Sequence, residues 1–114
     1  MAIRVKRVYE PASGADGYRM LVDRVWPRGV SKEAAAVDMW ARELAPSKQL
    51  RKWFGHKPER FDEFRRRYRD ELSEHSEELK ALRSRARKET VTLLYGARDT
   101  EHNNAVVLAE ALKR

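Results

Sequence analysis

The chain has 114 residues, 41% of them hydrophobic and 38% charged, with 25 Lys and Arg against 18 Asp and Glu for a formal net charge of +7. This length suits a single domain with a modest core. With no cysteine, disulfides, thiolate nucleophiles and thiolate metal sites are excluded. Met1-Ala2-Ile3-Arg4-Val5-Lys6-Arg7 carries charge but no apolar signal region follows, and no apolar run is long enough for a bilayer. The expected location is therefore the cytoplasm, with no membrane partner.

In chain order, Ile3 to Tyr9 reads as a strand, because Ile and Val sit at part-alternating positions. Glu10 to Gly17 holds a proline, two glycines, a serine and two acids, and reads as a loop. Tyr18 to Trp26 is the second strand. Its near-continuous apolar heart, Met20-Leu21-Val22, fits a parallel sheet covered on both faces. Pro27-Arg28-Gly29 stops it, which sets Asp23 and Arg24 at its carboxyl end.

A helical insert follows. Ser31 is placed to cap a short turn over Lys32 to Ala36. Asp38 is placed to cap a helix carrying Met39, Trp40 and Leu44, closed by Pro46. Ser47 caps the next, with Leu50, Trp53 and Phe54 on one face and Gly55 after its end. Pro58 suits the first turn of an amphipathic helix in which Phe61, Phe64, Tyr68 and Leu72 recur at helical spacing. After a break near Ser73 to Ser76, another helix carries Leu79, Leu82 and Ala86. Val91 to Tyr95 is the third strand. Asp99 or Thr100 then caps a last helix with Ala105, Leu108 and Leu112.

The expected fold is α/β: a small, mainly parallel sheet of about three strands, a multi-helix crossover and a C-terminal helix, all within residues 1–114. A right-handed crossover makes the second and third strands parallel. The first strand either pairs antiparallel with the second or connects to it by a loop passing over an edge. Monomer and homodimer are both compatible with such a sheet.

Ligands of open parallel sheets bind outside the carboxyl ends of the strands. There the sequence offers Asp23, Arg24 and Arg28 from one strand, and Arg98, His102, Asn103 and Asn104 beyond the other. Arginines and a helix start suit an anion. Arg24, Arg28, Arg98, Asn103 and Asn104 are the anion-binding candidates, and the expected partner is a small phosphorylated or carboxylated molecule. An internal pairing of Asp23 with arginine is the competing structural reading. Asp23 and His102 are the acid–base candidates, and His102 needs an orienting carboxylate that Asp99 is placed to supply. Trp26, Tyr95 and His56 are candidate lining residues. His56, His75 and His102 have no metal-ligand spacing, so no metal is expected. No Gly-rich dinucleotide motif, Walker loop or serine elbow is present, and no cofactor is expected. Nucleic-acid association through the basic surface, or protein interaction without catalysis, is the alternative function.

Several segments resemble a known family. Leu21-Val22-Asp23-Arg24-Val25-Trp26-Pro27-Arg28-Gly29, Trp53-Phe54-Gly55-His56, Leu93-Leu94-Tyr95-Gly96-Ala97-Arg98-Asp99 and His102-Asn103-Asn104-Ala105 are similar to the DUF488 family, in its YeaO-like branch. The resemblance spans nearly the whole chain and implies a cytoplasmic α/β domain of unknown function. Wider relatives carry cysteines in the region of Tyr95 and of His102-Asn103-Asn104. This chain does not, so thiol or metal chemistry does not transfer.

Overall fold

The computed structural model describes residues 1–114. Four strands form one all-parallel sheet: β1 (Ile3–Arg7), β2 (Tyr18–Leu21), β3 (Met39–Trp40) and β4 (Val91–Tyr95), in spatial order β1-β4-β2-β3. The five α-helices are α1 (Lys32–Ala35), α2 (Lys48–Phe54), α3 (Phe61–Leu72), α4 (Ser76–Lys88) and α5 (Asn104–Leu112). None is long and apolar enough to cross a membrane. The α/β class, the parallel pairing across the helical insert and the C-terminal helix all match the sequence expectation.

β4 is the centre because every one of its residues is buried. Its two faces feed two clusters, as the period-2 geometry of a strand requires. Val91, Leu93 and Tyr95 join a 21-residue core with α3, α4 and α5. Leu94 joins Val8, Leu21 and Ala35 on the opposite face, with Trp26 and Trp40 packed alongside. Helix α3 is held by Phe61, Phe64, Tyr68 and Leu72, all buried. Each such side chain contributes roughly 1.5–3 kcal/mol. The exposed Arg66–Glu63 and Arg67–Glu63 pairs on its outer face are screened by water and contribute little. The aromatic stripe therefore decides where this helix sits.

β1 and β2 are not neighbours. β4 lies between them, pairing Ile3 with Val91 on one side and Tyr18 with Val91 on the other. Because both strands run parallel to β4, the connection returns from the carboxyl end of β1 to the amino end of β2, entering β2 through a short 3-10 turn, Gly14–Asp16, capped by Ser13.

Three elements differ from expectation, the first being β1, which ends at Arg7 and not at Tyr9. β2 ends at Leu21, so Asp23 to Trp26 is a loop beyond the strand. The last ladder bond there runs from Val22 N to Leu94 O. Past it the chain is held by other groups, including the Trp40 indole, whose Nε1 donates to Asp23 O at 2.7 Å. The helix expected over Met39 and Trp40 is instead the edge strand β3. Asp38 is the reason. Its carboxylate accepts from Arg19 N at 2.8 Å and its own N donates to Arg19 O. The side chain is thus used in joining β2, not in capping, and the next two residues fall into strand register.

Candidate functional site: an arginine-rimmed cleft at the strand ends

A cleft of about 300 Å³ opens at the carboxyl ends of β2 and β4. Its floor is built from the loop after β2, the loop after β4 and the first residue of α5. Asp23 is the hub. One carboxylate oxygen, Oδ2, accepts from Gly96 N at 2.8 Å, and Oδ1 accepts from Asn104 Nδ2 at 3.1 Å. Asn104 Nδ2 also donates to Val22 O at 2.9 Å. The Asp23 side chain therefore ties the two strand ends to the last helix. A Cβ at position 96 would sit 3.1 Å from Asp23 Oδ2, so glycine permits this close approach.

Burial pushes the Asp23 carboxyl above its ordinary value. The Gly96 amide, the Asn104 amide, and the charges of Arg51 and His56 oppose that rise without cancelling it.

The cations are not equivalent. Arg24 is committed to the fold: its Nε donates to Pro46 O at 3.1 Å. It lines the cleft but pins the segment before α2. Arg28 and Arg51 also line the cleft, are exposed, and have guanidinium groups with neither a hydrogen bond nor an ion pair. Tyr9 Oη donates to the backbone oxygen of Arg28 at 3.0 Å, steadying that loop from below. Arg98, by contrast, is exposed and outside the cleft lining.

His102 lines the cleft with its ring oriented. Nδ1 lies 2.9 Å from Asp99 Oδ2 and the ring edge meets the Phe61 face at a centroid distance of 5.1 Å. Asp99 Oδ1 accepts from the backbone N–H groups of Glu101 and His102. Those two bonds hold the Asp99 carboxyl below its ordinary value, with the His102 side chain adding to the effect. Asp99 closes this turn and does not cap the helix. The cap of α5 is Asn103, whose Oδ1 accepts from Val106 N at 3.0 Å while its Nδ2 donates to Asp99 O. Asn103 is buried and both ends of its amide are used in building the helix start.

Among the lining candidates, Trp26 and His56 face the cleft. Trp26 is fixed by Nε1 donating to Val30 O at 2.8 Å and by an edge contact with Trp40. His56 follows Gly55, and both have positive φ, which turns the chain sharply at the rim. Tyr95 is buried in the core on the helix side of β4, where burial raises its phenol above the ordinary value. It is absent from the lining. Tyr9, Arg51, Phe54 and Phe64 line the cleft and were not singled out for it from sequence. Phe54 and Phe64 stack at 4.4 Å between centroids to form the apolar wall. Helical periodicity marks such rings as core, which they also are. Arg51 was legible only as part of the Leu50-Arg51 segment that extends the family resemblance, with no signal that it reaches the cleft. No three His, Asp or Glu side chains come together as a metal site.

A family described as the inactive DUF488-N3 subclade matches residues 2–114. The uncharacterized protein YeaO of Escherichia coli K12 is 48% identical over 113 residues, 99% of this chain and 98% of that protein. The uncharacterized protein Rv3073c of Mycobacterium tuberculosis H37Rv is 46% identical over 110 residues, 96% of this chain and 92% of that protein. No solved structure matches. The match runs through both strand-end loops and α2, so the cleft lies wholly within the shared region, and the chain belongs to the DUF488 family, in its inactive N3 subclade.

Proposed function

We propose that the protein binds a small phosphorylated or carboxylated molecule in the Asp23 cleft and holds it without turnover. The observation that carries the reading is the pair of unpartnered guanidinium groups, Arg28 and Arg51, beside an aromatic-walled cleft at the strand ends. A planar fork with free donors matches carboxylate and phosphate oxygens. Arg24 shapes the site by holding the Pro46 turn. Asn103 and Asn104 build the helix start and the Asp23 hub. Asp23 and His102 then meet the ligand's polar edge as hydrogen-bonding groups rather than as acid and base. Binding without turnover is supported by the matched subclade's description as inactive, and by the engagement of both Asp23 oxygens.

The test is a thermal-shift screen against phosphate, sulfate, nucleoside monophosphates and sugar phosphates. A ligand that binds only the native state raises its melting temperature. A selective rise is expected. The double variant Arg28→Ala/Arg51→Ala is expected to melt near the wild type without ligand, since exposed substitutions cost within about 0.5 kcal/mol each. Its affinity for the active compound is expected to fall at least tenfold, because each lost charge-assisted bond is worth roughly 1.5–3 kcal/mol. A rise that survives the double variant would remove the ligand from this cleft. Consumption of the bound compound would overturn the claim of no turnover.

A further inference from the structure

The positive charge is gathered in acid-free stretches, two of which flank the cleft. Residues 24–32 hold Arg24, Arg28 and Lys32 and no acid. Residues 44–58 hold Lys48, Arg51, Lys52 and Lys57 and no acid. The two segments thus contain seven of the 25 basic residues and none of the 18 acidic ones, leaving 18 of each sign everywhere else. These two segments, which supply Trp26, Arg28, Arg51 and His56 to the cleft lining, together carry seven positive charges and no negative one; residues 79–88 on α4 are a further acid-free run, away from the cleft.

Apart from Arg24, which holds the Pro46 turn, the cations of these two segments make no ion pair and no side-chain hydrogen bond. On α3 the arginines are matched to acids, Arg65 with Asp62 and Glu110 and Arg66 and Arg67 with Glu63, whereas on α4 only Arg85 is, with Glu89. Lys48, Lys52 and Lys57 are exposed and make no ion pair. Lys48, Arg51 and Lys52 are three and four residues apart on α2 and share its outer face. A single small anion needs Arg28 and Arg51. It leaves the lysine row without a role.

We propose that the anion held in the cleft is one phosphate of a single-stranded nucleic acid, whose backbone continues across the outer face of α2 and whose base at that point stacks in the cleft. This rests on the anion-binding reading of the cleft and extends it. Exposed, unpaired lysines next in sequence to the lining residues Arg51 and His56 suit a repeating phosphate chain, and the aromatic wall suits a base, which any sequence can offer as a π-face. Tyr9 and Trp26 are the rings on that wall that keep exposed area. Trp53 is covered by Arg60 and Arg67. A paired duplex keeps its bases stacked away from such a cleft, so a free strand is the form that fits.

The test is fluorescence anisotropy with labelled ten-nucleotide oligothymidylate and oligouridylate, thymidine 5′-monophosphate as the small competitor, and a duplex of equal length. The wild type is expected to bind a single strand at least tenfold tighter than the mononucleotide or the duplex. In the triple variant Lys48→Gln/Lys52→Gln/Lys57→Gln, strand affinity is expected to fall at least tenfold. The dependence of log affinity on log salt is expected to become shallower by about 2 for three lost phosphate contacts. Mononucleotide binding should persist, since none of the three lysines lines the cleft. A strand bound no tighter than the mononucleotide, or an unchanged triple variant, would overturn the proposal while leaving the small-anion reading in place. A duplex bound as tightly as the strand would overturn the stacked base. Absence of binding by both strand and mononucleotide would overturn the proposal, and phosphate or sugar phosphates would then test the cleft reading alone.

Discussion

Replacing Asp16 by alanine is expected to destabilise the protein by about 3 kcal/mol. Its carboxylate is fully buried and accepts from Arg19 Nη1, from Lys6 Nζ at 3.0 Å and from Ser13 N at 2.9 Å. Arg19 is itself 5% exposed at its side chain, and it also reaches the carbonyl of Ala35. One carboxylate thereby joins β1, β2 and the crossing loop. The pair as a whole is not a large source of stability, because both charges left water to form it. Removing one partner is costly because it leaves the other buried and unmatched. For a domain of this size such a loss lowers the melting temperature by on the order of 10 °C. Unfolding monitored by circular dichroism checks this, and an unchanged midpoint would contradict it.

The same residue sets a pH dependence. Burial alone pushes the Asp16 carboxyl up, but the Ser13 amide, Lys6 and Arg19 together outweigh it and hold it below the ordinary value. A carboxylate whose folded-state value is depressed adds stability above the unfolded-state value, about 4. That stability is lost as pH falls through the lower, folded value. Wild-type stability is therefore expected to decline below about pH 4, and this component should be missing from Asp16→Asn.

Gly17→Ala is expected to cost about 3 kcal/mol or more, from two sources. Gly17 has φ +62° and ψ −127°, a region that residues with a Cβ adopt only under strain of about 1–3 kcal/mol. An added Cβ would also lie 2.3 Å from Thr90 O, the atom that accepts the hydrogen bond from Tyr18 N. Relief requires β2 to move away from β4 at its first residue. Such a shift reaches the site, because Asp23 at the far end of that segment must meet Gly96 and Asn104. Gly14→Ala is the control. No atom lies within 4 Å of its added Cβ, and a change within about 0.5 kcal/mol is expected. Equal stability of both variants and wild type in urea titrations would contradict the account.

The parts of the fold readable from sequence were those with a strong local pattern. Val91 to Tyr95 is apolar throughout because it is the central strand, and Phe61, Phe64, Tyr68 and Leu72 mark α3 by spacing alone. Met39 and Trp40 were misread because Asp38 looks like a cap. Its carboxylate is instead used by Arg19 N, a partner 19 residues back. The short connection from β1 to β2 left open whether the two pair antiparallel or are joined by a loop over an edge, and the insertion of β4 between them excludes the pairing. The same limit applies to the cleft. Asp23, Arg24, Arg28, Trp26, His56, His102 and Asn104 were identified because strand ends and helix starts are local features. The Asp23–Asn104 bond spans 81 residues, and no spacing rule encodes it. Arg51 and Phe54 reach the cleft because of how α2 packs. Tyr95 was placed on the cleft by its position at the carboxyl end of the strand, but side chains alternate and its face is the core. Asn103 was read as a ligand donor, and its amide builds the helix cap.

The most direct test of the central claim is a nuclear magnetic resonance titration of the isotopically labelled protein with inorganic phosphate, following backbone amides and arginine Nε–H groups together. The account predicts saturable shifts confined to Gly96, Ala97, His102 and Asn104 and to the side chains of Arg28 and Arg51, lost in the Arg28→Ala/Arg51→Ala variant. Shifts spread over the arginines of α3 and α4, or shifts that leave Gly96 and Asn104 unmoved, would contradict it.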